Sequence, residues 1–218
     1  MIEQTAVGDV AVPGLRERKK QRTRETIART ALRLFDVHGY QATTIPQIAA
    51  AADVSPRTIS AYFPAKEELA FPYEAEWFER LAARLRDRPA TETAPEALRA
   101  WIDAQLPEWQ AREQELRMQR RVVAADEGLR IYERRFLAEA QALIAEGIAR
   151  DLDGSPEDLE PRMAAAATAA ILELLDEHHG DPAEDDLAGW HAEAMRLVDR
   201  ATLFVTAGIH ALRAQPRA

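Results

Sequence analysis

Residues 44–63 read TIPQIAAAADVSPRTISAYF, and this stretch decides the fold. Thr44 is placed to cap a helix, with Pro46 in the first turn and Gln47 three residues on completing a capping box. Ile45, Ile48, Ala49 and Ala52 fall on one face of that short helix. Asp53-Val54 makes a tight turn. Ser55 then caps a second short helix with Pro56 at its first position. Two short helices joined by so tight a turn must cross steeply, which describes a helix-turn-helix. Projection at 100° per residue points Ile59 and Phe63 inward. It points Arg57, Thr58 and Ala61 outward, with Ser60 and Tyr62 on the flanks.

That outward face has the chemistry of a major-groove reader. Arg57 can pair with O6 and N7 of guanine, and small Ala61 lets the helix approach a thymine methyl. Thr58 offers a hydroxyl to phosphate or a methyl to thymine, and the Tyr62 hydroxyl can reach a phosphate. Thr44 and the free N–H groups beside it form an anion site, as does Lys66 at the start of the helix expected to follow.

Working toward the N-terminus, Ile27, Ala31, Leu34 and Phe35 trace one helical face from about Lys20, and Gly39 is placed as an αL stop with Tyr40 behind it. Residues 1–15 lack periodicity and contain Pro13 and Gly14, so they read as a disordered arm. Toward the C-terminus a fourth helix is expected from Lys66 to Arg86. Further helical patterns follow at 96–111, 113–125, 128–152, 157–179 and 186–213, with Pro107 expected to break or kink the first of these. Nothing alternates as a strand does. The expected class is all-α: a disordered arm (1–15), a three-helix helix-turn-helix DNA-binding domain (16–66) and a helical-bundle ligand-binding and dimerisation domain (67–218).

Charge sharpens this division. The whole chain carries −9. Within 14–66, ten basic residues face four acidic ones, so that segment is +6 and residues 67–218 are −13. A basic head on an acidic body suits phosphate binding at one end, and Arg16, Arg18, Lys19, Lys20 and Arg22 are candidates to follow the backbone or enter the minor groove. No cysteine is present, no apolar run spans a bilayer, and the N-terminus is not a secretory signal; a cytoplasmic protein without disulfides or membrane contact is expected.

The run LRLFDVHGYQATTIPQIAAAADVSPRTISAYFPAKEEL, residues 32–69, resembles the DNA-binding domain of TetR-family transcriptional regulators. Phe35, Gly39-Tyr40, Thr43-Thr44, Ile48-Ala49, Val54-Ser55, Tyr62-Phe63-Pro64 and Lys66-Glu67-Glu68-Leu69 carry the likeness. It implies a bacterial homodimer that binds a palindromic operator, usually as a repressor, and releases it when a small-molecule effector enters the C-terminal domain. It also implies that Thr44, Arg57, Thr58, Tyr62 and Lys66 lie at or near DNA. Two positions depart from the family pattern: Asp53 stands where glycine is usual, and Ser60 where an aromatic is common. The candidate DNA-contacting set is Arg16, Lys19, Lys20, Arg22, Thr43, Thr44, Gln47, Ser55, Arg57, Thr58, Ser60, Ala61, Tyr62 and Lys66.

For the body, candidate ligand-binding residues are Trp77, Phe78, Trp101, Gln105, Trp109, Met118, Arg121, Tyr132 and Phe136, with Arg121 or Gln105 orienting the ligand. The same residue types also build plain cores. The resemblance implies that the last two helices pair with their symmetry mates, and both have long apolar faces. Met163, Ala167, Ala170, Ile171, Leu174 and Leu175 lie on one. Trp190, Ala194, Leu197, Val198, Ala201, Phe204, Val205, Gly208, Ile209 and Leu212 lie on the other. Either face also suits the core of a single chain. The interface expected from them is Met163, Ala167, Ala170, Ile171, Leu174, Leu197, Val198, Ala201, Phe204, Val205 and Gly208.

His178-His179 with Asp181 reads as a helix end, not a metal site, since adjacent histidines diverge by about 100°. No catalytic triad, phosphate loop or metalloprotease pattern occurs, so neither enzymatic activity nor a cofactor is expected. The competing readings are a helical adaptor, or an effector-independent regulator whose body binds protein. The excess of arginine on the groove side favours DNA.

Overall fold

Gly39 ends the first helix, α1 (Leu15–His38), at φ 85° and ψ 150°, and its N–H closes onto the Phe35 carbonyl at 2.8 Å. The positive φ agrees with expectation. The ψ lies outside the αL basin, in a region that a side chain does not tolerate, so glycine is required here. Tyr40 then stacks edge-on against Phe35, with ring centroids 5.0 Å apart.

This computed structural model describes residues 14–179 and 187–214, and among these every regular element is helical. Two compact units divide between Pro72 and Tyr73. The first contains α1, α2 (Ile45–Ala51) and α3 (Pro56–Tyr62), followed by a 3₁₀ turn over Glu67–Leu69. α2 packs against both α1 and α3. Ile27, Ala31, Leu32, Phe35, Ile48, Ala49, Ile59 and Phe63 are buried in this unit. The expected helix from Lys66 is instead that 3₁₀ turn, and α4 (Glu74–Arg86) begins only after Pro72. Proline lacks the N–H that would continue a helix and disfavours helical backbone at Phe71 before it. Residues 67–72 thus belong to the first unit, and the division falls later than the expected 66/67 boundary.

The second unit continues with α5 (Ala94–Ala111), α6 (Glu113–Ala125), α7 (Glu127–Asp151), α8 (Leu159–His179) and α9 (Leu187–Arg213). α5 starts earlier than periodicity suggested, because Thr93 and Glu96 form a capping box with Pro95 in the first turn. α5 also runs through Pro107, whose missing N–H leaves the Asp103 carbonyl without its usual donor but does not end the helix. Leu81, Leu85, Ala97, Leu98, Trp101, Ile144, Ile148, Ala165, Val205 and Ile209 form the core, so α4, α5, α7, α8 and α9 all contribute. α7 passes α5 closely: a Cβ on Gly147 would lie 2.9 Å from that of Ala94.

One buried ion pair ties these helices. Arg88 Nη2 meets Asp151 Oδ1 at 2.6 Å, both side chains being about 5% exposed. Arg88 also donates to the carbonyls of Leu85, Glu92 and Gly147. The other oxygen of Asp151 accepts from the Ala94 N–H at 2.6 Å, at the start of α5. Arg213, at the end of α9, donates to the Asp151 carbonyl. The end of α4, the start of α5, the ends of α7 and α9, and the loop between α4 and α5 therefore share one hub. Removing one member of a hydrogen-bonded buried pair strands the other. Asp151→Ala is expected to lower stability by about 3 kcal/mol or more in urea unfolding; a loss below about 1 kcal/mol would show that the pair is dispensable.

Candidate nucleic-acid interface and helical body

A seven-residue helix does not hold itself, so α3 is fixed by its surroundings. Before it, α2 ends in a complete Schellman turn: Val54 N–H bonds the Ala49 carbonyl at 3.0 Å and Asp53 N–H the Ala50 carbonyl at 3.4 Å. Asp53 takes φ 54°, so a left-handed position that favours glycine is occupied here by aspartate. Aspartate tolerates that region better than most side chains. The Ser55 side chain accepts from Thr58 N–H at 3.0 Å and lies 2.8 Å from the Thr58 hydroxyl. Thr44 and Gln47 form the reciprocal capping box at the start of α2.

These restraints present α3 as its projection predicts. Ile59 and Phe63 are buried, Arg57, Ser60 and Ala61 are exposed, and Thr58 and Tyr62 are half-buried at the edges. Ser60 bonds back to the Pro56 carbonyl, so its hydroxyl is partly engaged within the helix. Thr44, Gln47 and Ser55 are exposed beside this face.

Thr43 is a correction. It is buried, and its hydroxyl lies 2.9 Å from the Gly39 carbonyl and 3.3 Å from that of Leu34. It fastens the turn between α1 and α2 and does not face a nucleic acid. Lys66 is also turned inward: its Nζ donates to the Tyr40 carbonyl at 2.7 Å and sits 4.1 Å from the Tyr40 ring centroid. This closes the unit with a charge-assisted hydrogen bond and a cation–π contact, and only the three-residue 3₁₀ turn, not the expected α-helix, begins after Lys66.

Arg24 is the residue that the sequence reading missed. Its guanidinium donates to the Tyr62 carbonyl at 2.9 Å and to the Pro72 carbonyl at 2.6 Å, and lies 4.4 Å from the Phe63 ring centroid. It thereby clasps the C-terminal end of α3 to α1. The signal was present: Arg24 lies three and four residues before buried Ile27 and Ala28, on the inward stripe of α1. By contrast Arg16, Arg18, Lys19, Lys20 and Arg22 are exposed. They sit on the helix itself, which extends to Leu15 and not merely to Lys20. The rest of the expected arm, residues 1–13, lies outside the described residues.

Residues 27–71 match the family described as "Bacterial regulatory proteins, tetR family". The transcriptional regulator TcmR of Streptomyces glaucescens is 36% identical over 157 residues. The chain belongs to the tetR family. That match covers 72% of this chain and 64% of TcmR, so the chain spans just under two thirds of its relative's length. Among solved structures, the SmeT–triclosan complex has a TM-score of 0.57 at 22% identity, covering 86% of this chain and 91% of that one. A transcriptional regulator from Aquifex aeolicus VF5 has a TM-score of 0.56 at 17% identity, covering 84% and 99%. These likenesses show a shared fold of an N-terminal three-helix unit and a helical body. TcmR is a regulator by name, in agreement with the expectation that this tetR-family chain is not an enzyme.

Within the helical body of this tetR-family chain, five expected ligand residues meet in one array. Trp77 lies edge-on to Trp101 at 4.7 Å and packs on Phe136 at 5.1 Å, Phe78 joins both Trp77 and Phe136, and Trp109 reaches Trp101 at 6.1 Å. Gln105 is buried beside Trp101 on the same helix face. Met118 and Tyr132 are half-buried. Arg121 is exposed and so does not point into the interior as an orienting group. A separate narrow cleft opens between α5, α8 and α9, lined chiefly by Leu98, Ile102, Ile171, Leu172, Val198, Ala201 and Val205. None of the expected ligand residues lines it.

The structure divides the expected interface residues. Ile171, Val198, Ala201 and Val205 face the cleft between α5, α8 and α9, where they serve the chain itself. Ala167 and Leu197 are half-buried. Met163, Ala170, Leu174, Phe204 and Gly208 are exposed, and Leu203 joins them at 71% exposure. The side chains of Leu175, His178, His179 and Trp190, together with Asp181, lie outside the described residues.

Arg24 and Arg57 differ in their surroundings within the first unit, and stability separates them. Arg24→Met should lower stability by about 2 kcal/mol, since two charge-assisted bonds to backbone are lost. Arg57→Ala should change it by less than about 0.5 kcal/mol, as for an exposed residue without internal bonds. Thermal melts of both variants check this; equal destabilisation would contradict the assignment.

Proposed function

We propose that this protein is a sequence-specific DNA-binding transcriptional regulator, a repressor that acts as a homodimer on a palindromic operator and lets go when a small molecule occupies its helical body. The observation that carries the reading is α3: a short, externally clamped helix whose exposed face is Arg57, Ser60 and Ala61. Arg57 is the long polar side chain on that face and is assigned the base-edge contact. Thr44, Gln47, Ser55, Thr58 and Tyr62 stand at its margins as phosphate contacts. Arg16, Lys19, Lys20 and Arg22 supply further positive charge along α1.

Surface chemistry supports dimerisation. Met163 and Leu174 on α8, and Leu203 and Phe204 on α9, are between 60% and 71% exposed. So much exposed apolar side chain on two adjacent packed helices suits burial against a second copy. Ala170 and Gly208, small and exposed on the same two helices, permit close helix approach. A palindromic site matches that two-fold symmetry. Release by an effector is supported by the solved relatives, since SmeT binds triclosan. Among the described residues no helix is long and apolar enough to cross a membrane; a cytoplasmic location belongs to this reading because the operator must be within reach.

Selection from a pool of randomised duplexes tests the reading. The expected product is an inverted repeat with half-sites centred about one helical turn, or a multiple of it, apart. Arg57→Ala should relax one base position per half-site, at about 1–3 kcal/mol, and removal of residues 1–19 should flatten the salt dependence of binding. Enrichment of no sequence, or of a single asymmetric site, contradicts the proposal. Uniform weakening by Arg57→Ala would reassign that residue to a phosphate.

A further inference from the structure

The interior of the helical body satisfies nearly all its polar groups. Arg88 and Asp151 pair, Thr93 engages Glu96 and Thr206, and Thr168 bonds the Ala164 carbonyl. Among the described residues, the buried side-chain nitrogen and oxygen atoms left without a partner are Trp101 Nε1 and Gln105 Oε1. They come from residues one helical turn apart on α5, 4% and 7% exposed. One is a donor and the other an acceptor. Leaving such an atom unpaired in a core is unfavourable and calls for an explanation.

The surroundings supply one. Trp101 lies at the inner end of the array formed with Trp77, Phe78, Trp109 and Phe136, and those four outer rings are half-buried. The array therefore joins half-buried rings to the buried Trp101, which carries one unpaired atom and lies one helical turn from Gln105, which carries the other. Edge-to-face rings at 4.6–6.1 Å accept a further flat ring in the same mode. An anion is disfavoured there, because the ring faces and the Gln105 oxygen are both negative. A cation leaves the Trp101 N–H unanswered. An aromatic hydroxyl answers both atoms, accepting from Trp101 Nε1–H and donating to Gln105 Oε1.

We propose that this end of the array binds the effector and that the effector is an uncharged, planar hydroxyarene. This rests on the reading of the body as a small-molecule sensor and specifies what it senses. A site built to hydrogen-bond a hydroxyl rejects the analogue that lacks it far more strongly than a greasy slot does.

Calorimetric titration of the full chain, without DNA, tests this with three probes: 2-naphthol, 2-methoxynaphthalene, which accepts but cannot donate, and 2-naphthoate, which is charged. The expected result is that 2-naphthol binds at least tenfold more tightly than either of the others. In Gln105→Leu the preference for 2-naphthol over 2-methoxynaphthalene should vanish. That variant should melt no lower than the parent, since it removes an unpaired buried oxygen. Equal binding of 2-naphthol and 2-methoxynaphthalene overturns the proposal, as does a preference that survives in Gln105→Leu. Absence of saturable binding by any probe, as from a site holding only a buried water, also overturns it, and so does a destabilised Gln105→Leu. Binding of a palindromic duplex is measured separately. Duplex binding without 2-naphthol binding overturns this inference alone, while 2-naphthol binding without duplex binding overturns only the regulator reading.

Discussion

The clasp of Arg24 on the end of α3 is the interaction on which the reading head depends. A helix of two turns has too few internal hydrogen bonds to persist unaided. Here its start is set by the Ser55 cap and its underside by Ile59 and Phe63, and its end is held through the Tyr62 carbonyl and the Phe63 ring. A guanidinium beside a helix C-terminus also complements the helix dipole. With these restraints in place, Arg57 and Ala61 stay unencumbered, and Ser60 is engaged only with the Pro56 carbonyl of its own helix. Rigid presentation matters because groove readout requires hydrogen-bonding atoms to be placed within tenths of an ångström.

The body follows the same economy with different chemistry. Arg88 and Asp151 bring together the ends of several helices, and each polar atom of the pair finds a partner, which is the condition under which a buried ion pair is tolerated. Around this hub the apolar residues of α8 and α9 divide into an inner set facing α5 and an outer set left exposed. A unit rigid at its ion-paired end and incompletely satisfied at Trp101 and Gln105 is suited to respond at the second place.

Much of the first unit was legible in the sequence because local rules govern it. Caps at Thr44 and Ser55, prolines in first turns, and the inward spacing of Ile59 and Phe63 leave little freedom over residues 44–63. Thr43 and Lys66 were read by residue type and charge and Arg24 was passed over, whereas Arg24 and Lys66 are occupied by backbone carbonyls distant in sequence and Thr43 by those of Leu34 and Gly39. Pro72, not Lys66, decided where α4 begins, and the Thr93–Glu96 box, not apolar periodicity, decided where α5 begins. In the body, periodicity marked the apolar faces of α8 and α9. It does not say which neighbour covers each residue, so Val198 and Phe204 looked alike though one is buried and the other 71% exposed.

The central claim is that α3 enters a major groove with Arg57 against guanine. Methylation of guanine N7 blocks that contact without altering the phosphates or the minor groove. Methylation interference on the selected operator should show one sensitive guanine position per half-site with the parent protein and loss of that sensitivity with Arg57→Ala. Interference that is absent, or identical for both proteins, would contradict the account.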